Sequence, residues 1–193
     1  MRTLIVHAHP SPASFAAAAC REVAAALAGR GHAVEVCDLY ERGFDPVLSR
    51  EALARYLDAP ANRAGIEPYV DALLAAEAVV FVFPVWHDGP PAMLKGYFDR
   101  VFVRGVVFEV VDGVFYPRLQ NIRRLGAVAL YGADRARTRK VGDLPRRFVN
   151  GNLKPLVAAD ARLDYLAGYG MDAAGAATRT RFLGRIRRAF GRW

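Results

Sequence analysis

Cysteine is scarce in this chain: two residues in 193, Cys20 and Cys37. They form no C-x-x-C pair and have no cluster of histidines beside them, so no metal site is expected. Cys20 falls in an expected helix and Cys37 in an expected strand, where free thiols pack as small hydrophobes. Long apolar runs are missing too. None approaches the ~20 residues needed to span a bilayer, so no transmembrane segment is expected. The opening MRTLIVHAHP is too short and wrongly flanked for a signal peptide, which makes cytoplasmic localisation the expectation.

Two further shortages narrow the function. The first loop, HAHPSPASF, contains no glycine, so it is neither a G-x-G-x-x-G dinucleotide loop nor a Walker loop. Acidic residues are thin in the second half, where residues 97–193 carry 19 Lys and Arg against 8 Asp and Glu. Residues 1–96 carry 8 against 11. The excess is almost all arginine. It reads as a solvated surface, with a positive field around a site for anionic ligands such as nucleotide phosphates as the functional alternative. No nucleic-acid-binding module is recognisable, so nucleic acid is not an expected partner.

What is present reads as one domain over residues 1–193, long enough to bury a real core. Thr3–Ala8 is a buried strand, and Ser14 caps a helix that runs to about Gly29. His32–Leu39 is a second strand, which completes a βαβ unit and implies a parallel sheet. Helices are expected after Ser49 and over about Glu67–Ala76, followed by a third strand at Val79–Phe83. A loop led by Pro84 comes next, then a helix over about Pro91–Phe102. Asp112-Gly113 between GVVFEVV and VFYP signals a hairpin turn. Leu125–Tyr131 and Arg162–Ala167 are the fourth and fifth strands, with a helix of about Gly142–Val157 between them. A final basic helix spans about Ala173–Phe190. Five strands alternating with helices give an α/β, doubly wound parallel sheet of order 2-1-3-4-5.

In that architecture, ligands sit at the carboxyl ends of the strands. The unusual residues gather there: His7–Phe15, Pro84–Gly89 and Tyr131–Asp134. Ser11, Ser14 and the free N–H groups of a helix start make a natural phosphate seat. The segments HAHPSPASF, DLYERGFDPVLS, FPVW…GPPAMLKGYFDRVF, NIRRLGAVALYGA and YLAGYGMDAA also carry a family likeness over essentially the whole chain. The chain resembles the flavodoxin-like NAD(P)H dehydrogenase (quinone) family.

The resemblance implies a homodimer that binds FAD or FMN, with FAD slightly favoured. It implies NAD(P)H as co-substrate and hydride transfer through flavin N5 to a quinone or similar acceptor, with ping-pong kinetics. It puts His9, Ser14 and Phe15 at the phosphate and ribityl end of the flavin. Pro84, Val85, Trp86 and His87 fall along the ring, and Tyr131 and Gly132 on its pyrimidine side. His87 and Tyr131 are the candidate catalytic residues. Phe115 and Tyr116 are candidates for the acceptor pocket, near the partner's site. Three positions depart from the family pattern: Ala16, the His87-Asp88 pair, and Ala129-Leu130 before Tyr131-Gly132. Azo or nitro reduction on the same flavin, or an ancillary subunit of a potassium-efflux system, are the alternatives. His7 is read as a packed strand residue and Lys95–Asp99 as a surface ion pair. Arg135, Arg137, Arg139 and Lys140 are read as solvated, with steering of NADPH phosphates as their functional alternative.

Overall fold

A computed structural model describes all of residues 1–193. Its frame is a five-stranded parallel sheet built from β1 (Arg2–His7), β2 (Ala33–Asp38), β3 (Ala78–Val85), β6 (Arg124–Tyr131) and β7 (Arg162–Gly168). The strand order is β2-β1-β3-β6-β7, the expected 2-1-3-4-5 pattern with a hairpin inserted before the fourth strand. The hairpin is β4 (Phe108–Val111) and β5 (Val114–Pro117), closed over Asp112-Gly113.

The central strands are apolar on both sides because helices cover both faces, as parallel sheets require. Alternate residues of β3 go opposite ways. Val79, Phe81 and Phe83 meet α3 (Glu67–Ala75) and α4 (Ala92–Val101), while Ala78, Val80 and Val82 meet α1 (Phe15–Ala28) and α7 (Ala176–Phe190). Both cysteines are buried and unpaired. Burial pushes the Cys20 thiol up to about 12 and that of Cys37 up to about 11, so neither is a nucleophile at neutral pH.

Several boundaries differ from the sequence reading, each for a physical reason. The third strand does not stop at Phe83 but continues through Pro84 and Val85, pairing with Leu130 and Tyr131 of β6. Proline is tolerated because β1 has already ended opposite Val82. Val82 O receives Ala8 N–H from the β1 side, so the nitrogen two residues on faces the same, now vacated, side. The single helix expected over Gly142–Val157 is broken into pieces. In its place stand α6 (Leu144–Phe148), a wide turn over Val149–Leu153 and a 3₁₀ turn over Lys154–Leu156, and a short α5 (Arg135–Lys140) that was not expected precedes them. Gly142 and Asp143 have positive φ (90° and 45°), and Pro145 and Pro155 each remove a helical N–H donor. A short α2 (Arg50–Ala54) does start at Ser49, whose Oγ accepts Ala52 N–H at 3.1 Å.

Candidate active site

The strand order reverses direction between β1 and β3, so the loops leaving those strands diverge and open a crevice at the carboxyl edge. Four loops line this region, one more than the three singled out in the sequence. The fourth follows β7 and brings in Asp172.

The loop after β1 leads into α1. Ser14 Oγ accepts Ala17 N–H at 3.1 Å, capping the helix and holding its first turn in place. The N–H groups of Phe15 and Ala16 have no partner within the chain and stand at the positive end of the helix dipole. His9 is fixed by its own loop: its Nδ1 accepts Ser11 N–H at 3.0 Å. Burial holds its pKa below the usual imidazole value. The neutral ring therefore carries its hydrogen on Nε2, as a donor. Its edge meets the Trp86 ring with centroids 5.8 Å apart. The Phe15 side chain turns away into the α1–α7 layer, against Phe182 (6.1 Å) and under Arg179, so only its backbone faces the loop.

The loop after β3 is a tight hairpin turn, which the sequence did not reveal. Trp86 and Gly89 exchange both backbone hydrogen bonds at 3.0 Å. Between them His87 (φ 49°) and Asp88 (φ 60°) are both left-handed. Two such residues in succession define the I′ turn, which ordinarily takes Asn-Gly. Non-glycine residues in that conformation store strain, a mark of functional loops. The N–H groups of His87 and Asp88 are unpartnered. Trp86 stands 42% exposed at the crevice wall rather than sealing the core.

The loop after β6 adds Gly132 and Ala133, whose N–H groups are likewise free. At Gly132 a Cβ would lie 2.1 Å from Asp172 Oδ2, so any side chain there would have to displace that carboxylate. Arg137, expected to be solvated, is exposed, and it also lines the crevice and approaches Asp88 Oδ2 at 3.5 Å. The crevice bounded by the loops after β3, β6 and β7 measures about 690 Å³, within the range of small-molecule sites.

Tyr131 is only 2% exposed, and its hydroxyl points away from the crevice into a polar cluster. It donates to Asp143 Oδ1 at 2.6 Å and lies 2.5 Å from the Tyr165 hydroxyl. Because Tyr131 spends its proton on Asp143, Tyr165 must be the donor between the two. Arg146 Nε donates to Asp143 Oδ2 at 3.0 Å and its guanidinium lies over the Tyr165 ring. Burial raises the Tyr131 pKa far above that of free tyrosine, with Tyr165 and Asp143 adding to the shift. Tyr131 thus bounds the crevice without offering it a proton.

Phe115 and Tyr116, on β5, are 52% and 49% exposed and do not line the crevice of their own chain. Phe115 stacks on Phe108 at 5.2 Å and borders a separate cavity. The remaining readings concern the surroundings. His7 is buried, with Nδ1 3.2 Å from Val82 O, and Lys95 pairs with Asp99 at 2.5 Å on the surface of α4. No helix is long and apolar enough to cross a membrane.

Residues 1–156 match the family model described as flavodoxin-like fold. An uncharacterised NAD(P)H oxidoreductase of Haemophilus influenzae is 36% identical over 126 residues, 63% of this chain and 60% of that protein. NAD(P)H dehydrogenase [quinone] 1 of Cavia porcellus is 33% identical over 149 residues, 69% of this chain and 54% of that one. The chain therefore spans little more than half the length of these two relatives. A solved NAD(P)H:quinone oxidoreductase from Methanothermobacter marburgensis superposes with a TM-score of 0.83 at 26% identity, covering 99% of this chain and 98% of that one.

Proposed function

We infer that this chain, which belongs to the flavodoxin-like fold family, is a flavin-dependent NAD(P)H oxidoreductase that passes a hydride to a quinone or similar acceptor. One observation carries the reading. Unpartnered backbone N–H groups at His87 and Asp88 and at Gly132 and Ala133 line one crevice walled by an exposed Trp ring, and those of Phe15 and Ala16 stand at the start of α1, whose loop meets that wall where His9 touches Trp86. Such donors suit a ligand with a phosphate at one end and a flat, carbonyl-bearing ring at the other. The named relatives, an NAD(P)H oxidoreductase and two quinone reductases, support the same chemistry.

The residues present fit a flavin. Phe15 and Ala16 N–H would hold its phosphate at the start of α1, with His9 Nε2–H beside them. Trp86 would flank the ring, and the N–H groups of His87, Asp88, Gly132 and Ala133 would meet its polar edge. When bound, the flavin supplies hydride acceptance and release, so no acid–base residue is required for that step. The protein's work is to bind, orient and exclude water. Tyr131 acts here as a positioning residue, held by Asp143 and Tyr165, while His87 at the tip of the turn is the side chain that meets the acceptor. Nicotinamide and acceptor would occupy the same crevice in turn, the basis of ping-pong kinetics. The exposed apolar hairpin of Val110, Val111, Val114, Phe115 and Tyr116 supports a dimer in which each hairpin reaches its partner's crevice.

The purified protein, loaded in turn with FAD and FMN, should hold one of them through gel filtration and show its visible absorbance. NADPH or NADH added without oxygen should bleach that absorbance, and a quinone should restore it. A protein that retains neither flavin and oxidises neither nucleotide would overturn the reading.

A further inference from the structure

A second cavity, of about 830 Å³, lies on the far side of the Trp86–Gly89 turn, between the start of α4 and the broken segment beginning at α6. His87 and Asp88 belong to the walls of both cavities, so the strained turn is the partition between them. The charges are sorted across that partition. Asp88, the one carboxylate in the second wall, is drawn toward the first cavity by Arg137 at 3.5 Å. Three cations remain on the second side: Lys95, Arg146 and Arg147.

These cations are not equivalent. Lys95 is held by Asp99 at 2.5 Å and Arg146 by Asp143 at 3.0 Å, so each already has a counter-charge. The Arg147 guanidinium has no acidic partner and makes no hydrogen bond within the chain, its backbone N–H alone bonding to Asp143 O, although it sits one residue along the same short helix. The side-chain amide of Asn152, five residues further on, is also without a partner within the chain. Next to these polar groups stands the Phe148 ring, which is shared with an apolar cavity of about 380 Å³ lined by Phe98, Phe102 and Phe115. One site thus joins an uncompensated guanidinium to an aromatic wall. Arginine's planar fork suits a phosphate or carboxylate, and an aromatic wall suits a flat ring.

We propose that this second cavity is an anion subsite, where Arg147 binds the phosphate or carboxylate of a planar aromatic substrate and so selects it over its neutral counterpart. The proposal rests on the oxidoreductase reading, because the shared turn would then set the bound substrate next to the first cavity. The anion has two possible sources: the 2′-phosphate of a nicotinamide nucleotide, or a carboxylate on the acceptor.

Calorimetric titration of the flavin-free protein tests the cavity independently of the flavin chemistry. Two pairs of probes distinguish the sources: 2′,5′-ADP against 5′-AMP, and naphthalene-2-carboxylate against 2-naphthylmethanol. The anionic member of at least one pair should bind about tenfold more tightly than its counterpart, the size of a charge-assisted contact at a partly exposed site. Arg147→Glu and the milder Arg147→Ala should abolish that preference, while Arg188→Glu, an equal charge change on an exposed face of α7, should leave it intact. No preference in either pair, or equal losses in Arg147→Glu and Arg188→Glu, would overturn the subsite. Failure of the oxidoreductase reading would appear separately, as a protein that takes up no flavin.

Discussion

The two ends of the sheet are built from the same strands but treat their backbone in opposite ways. At the amino edge the chain closes on itself. Arg2 N–H reaches Glu77 Oε2 at 2.8 Å, Glu77 N–H reaches Arg2 O at 2.8 Å, and Arg123 N–H reaches Glu77 O at 2.8 Å. Asn121 then donates its amide to the carbonyls of Leu73, Leu74 and Ala76, stopping α3. At the carboxyl edge the loops leave their donors open around a crevice. A groove of about 360 Å³ exists at the amino edge as well, beside β2 and α3, but its walls are mainly small apolar side chains. Available hydrogen-bond donors, more than empty space, separate a binding edge from a structural one.

The largest effect expected from this contrast lies at the amino edge. Asn121→Ala would strip three carbonyls of their donor, and leaving such groups unsatisfied costs about 2 kcal/mol. Denaturant unfolding should register that loss while flavin uptake at the other edge stays normal. If cofactor retention fell in step with stability, the two edges would not be separable.

The opposite result is expected at the crevice. Trp86→Ala removes an exposed ring that supports nothing in the core, so stability should change by less than about 0.5 kcal/mol. Flavin affinity should fall by up to about tenfold, in line with the roughly 0.5–1.5 kcal/mol of an aromatic stacking contact. A large drop in melting temperature with unchanged flavin affinity would make Trp86 a structural cap.

The two hairpin turns also explain what could be read from the sequence. Asp112-Gly113 carries the turn's own preferred residues and forms it, with φ of 52° and 76°. His87-Asp88 adopts a similar double left-handed geometry but carries residues chosen for something else, so the sequence did not announce the turn. The buried strands and the Ser14 cap were legible because apolar runs and capping oxygens act locally. The break between α5 and α6 depends on a positive φ at Asp143, which is held by a tyrosine pair from two other strands. The Asp88–Arg137 contact spans 49 residues, and Asp172 meets Gly132 only through the sheet order. Of the candidate site residues, those whose backbone faces the crevice followed from the loop rule. The direction of the Tyr131 and Phe15 side chains did not, since each is set by distant packing.

This contrast between turns gives a third test. Asp88→Gly should relieve one left-handed residue and raise stability by about 1 kcal/mol. The same change cuts the tie to Arg137 and removes the carboxylate from the partition. Thermal unfolding should therefore improve while acceptor turnover changes, the pattern of strain held for function. Higher stability with unaltered kinetics would show that the turn's strain serves nothing.

The smallest effect belongs to a residue that shares the character of both edges. His7 closes the end of β1, and its Nδ1–H donates to Val82 O, a satisfied structural contact. Its Nε2 is buried with no hydrogen-bond partner and lies 3.9 Å from Asp38 Oδ2. Burial lowers its pKa, and the Asp38 charge only partly opposes that. A histidine whose folded pKa lies below its unfolded value of about 6.5 binds its proton more readily when unfolded. Its contribution to stability is therefore complete above that value and declines as pH falls below it, levelling off once the folded ring is protonated too. Chemical denaturation between pH 7.5 and pH 5 should show this decline, on the order of 1 kcal/mol or less. In His7→Asn, whose amide nitrogen stands where Nδ1 does and can keep the bond to Val82 but cannot titrate, the decline should be smaller. An unchanged pH slope in that variant would assign the acid sensitivity to groups other than His7.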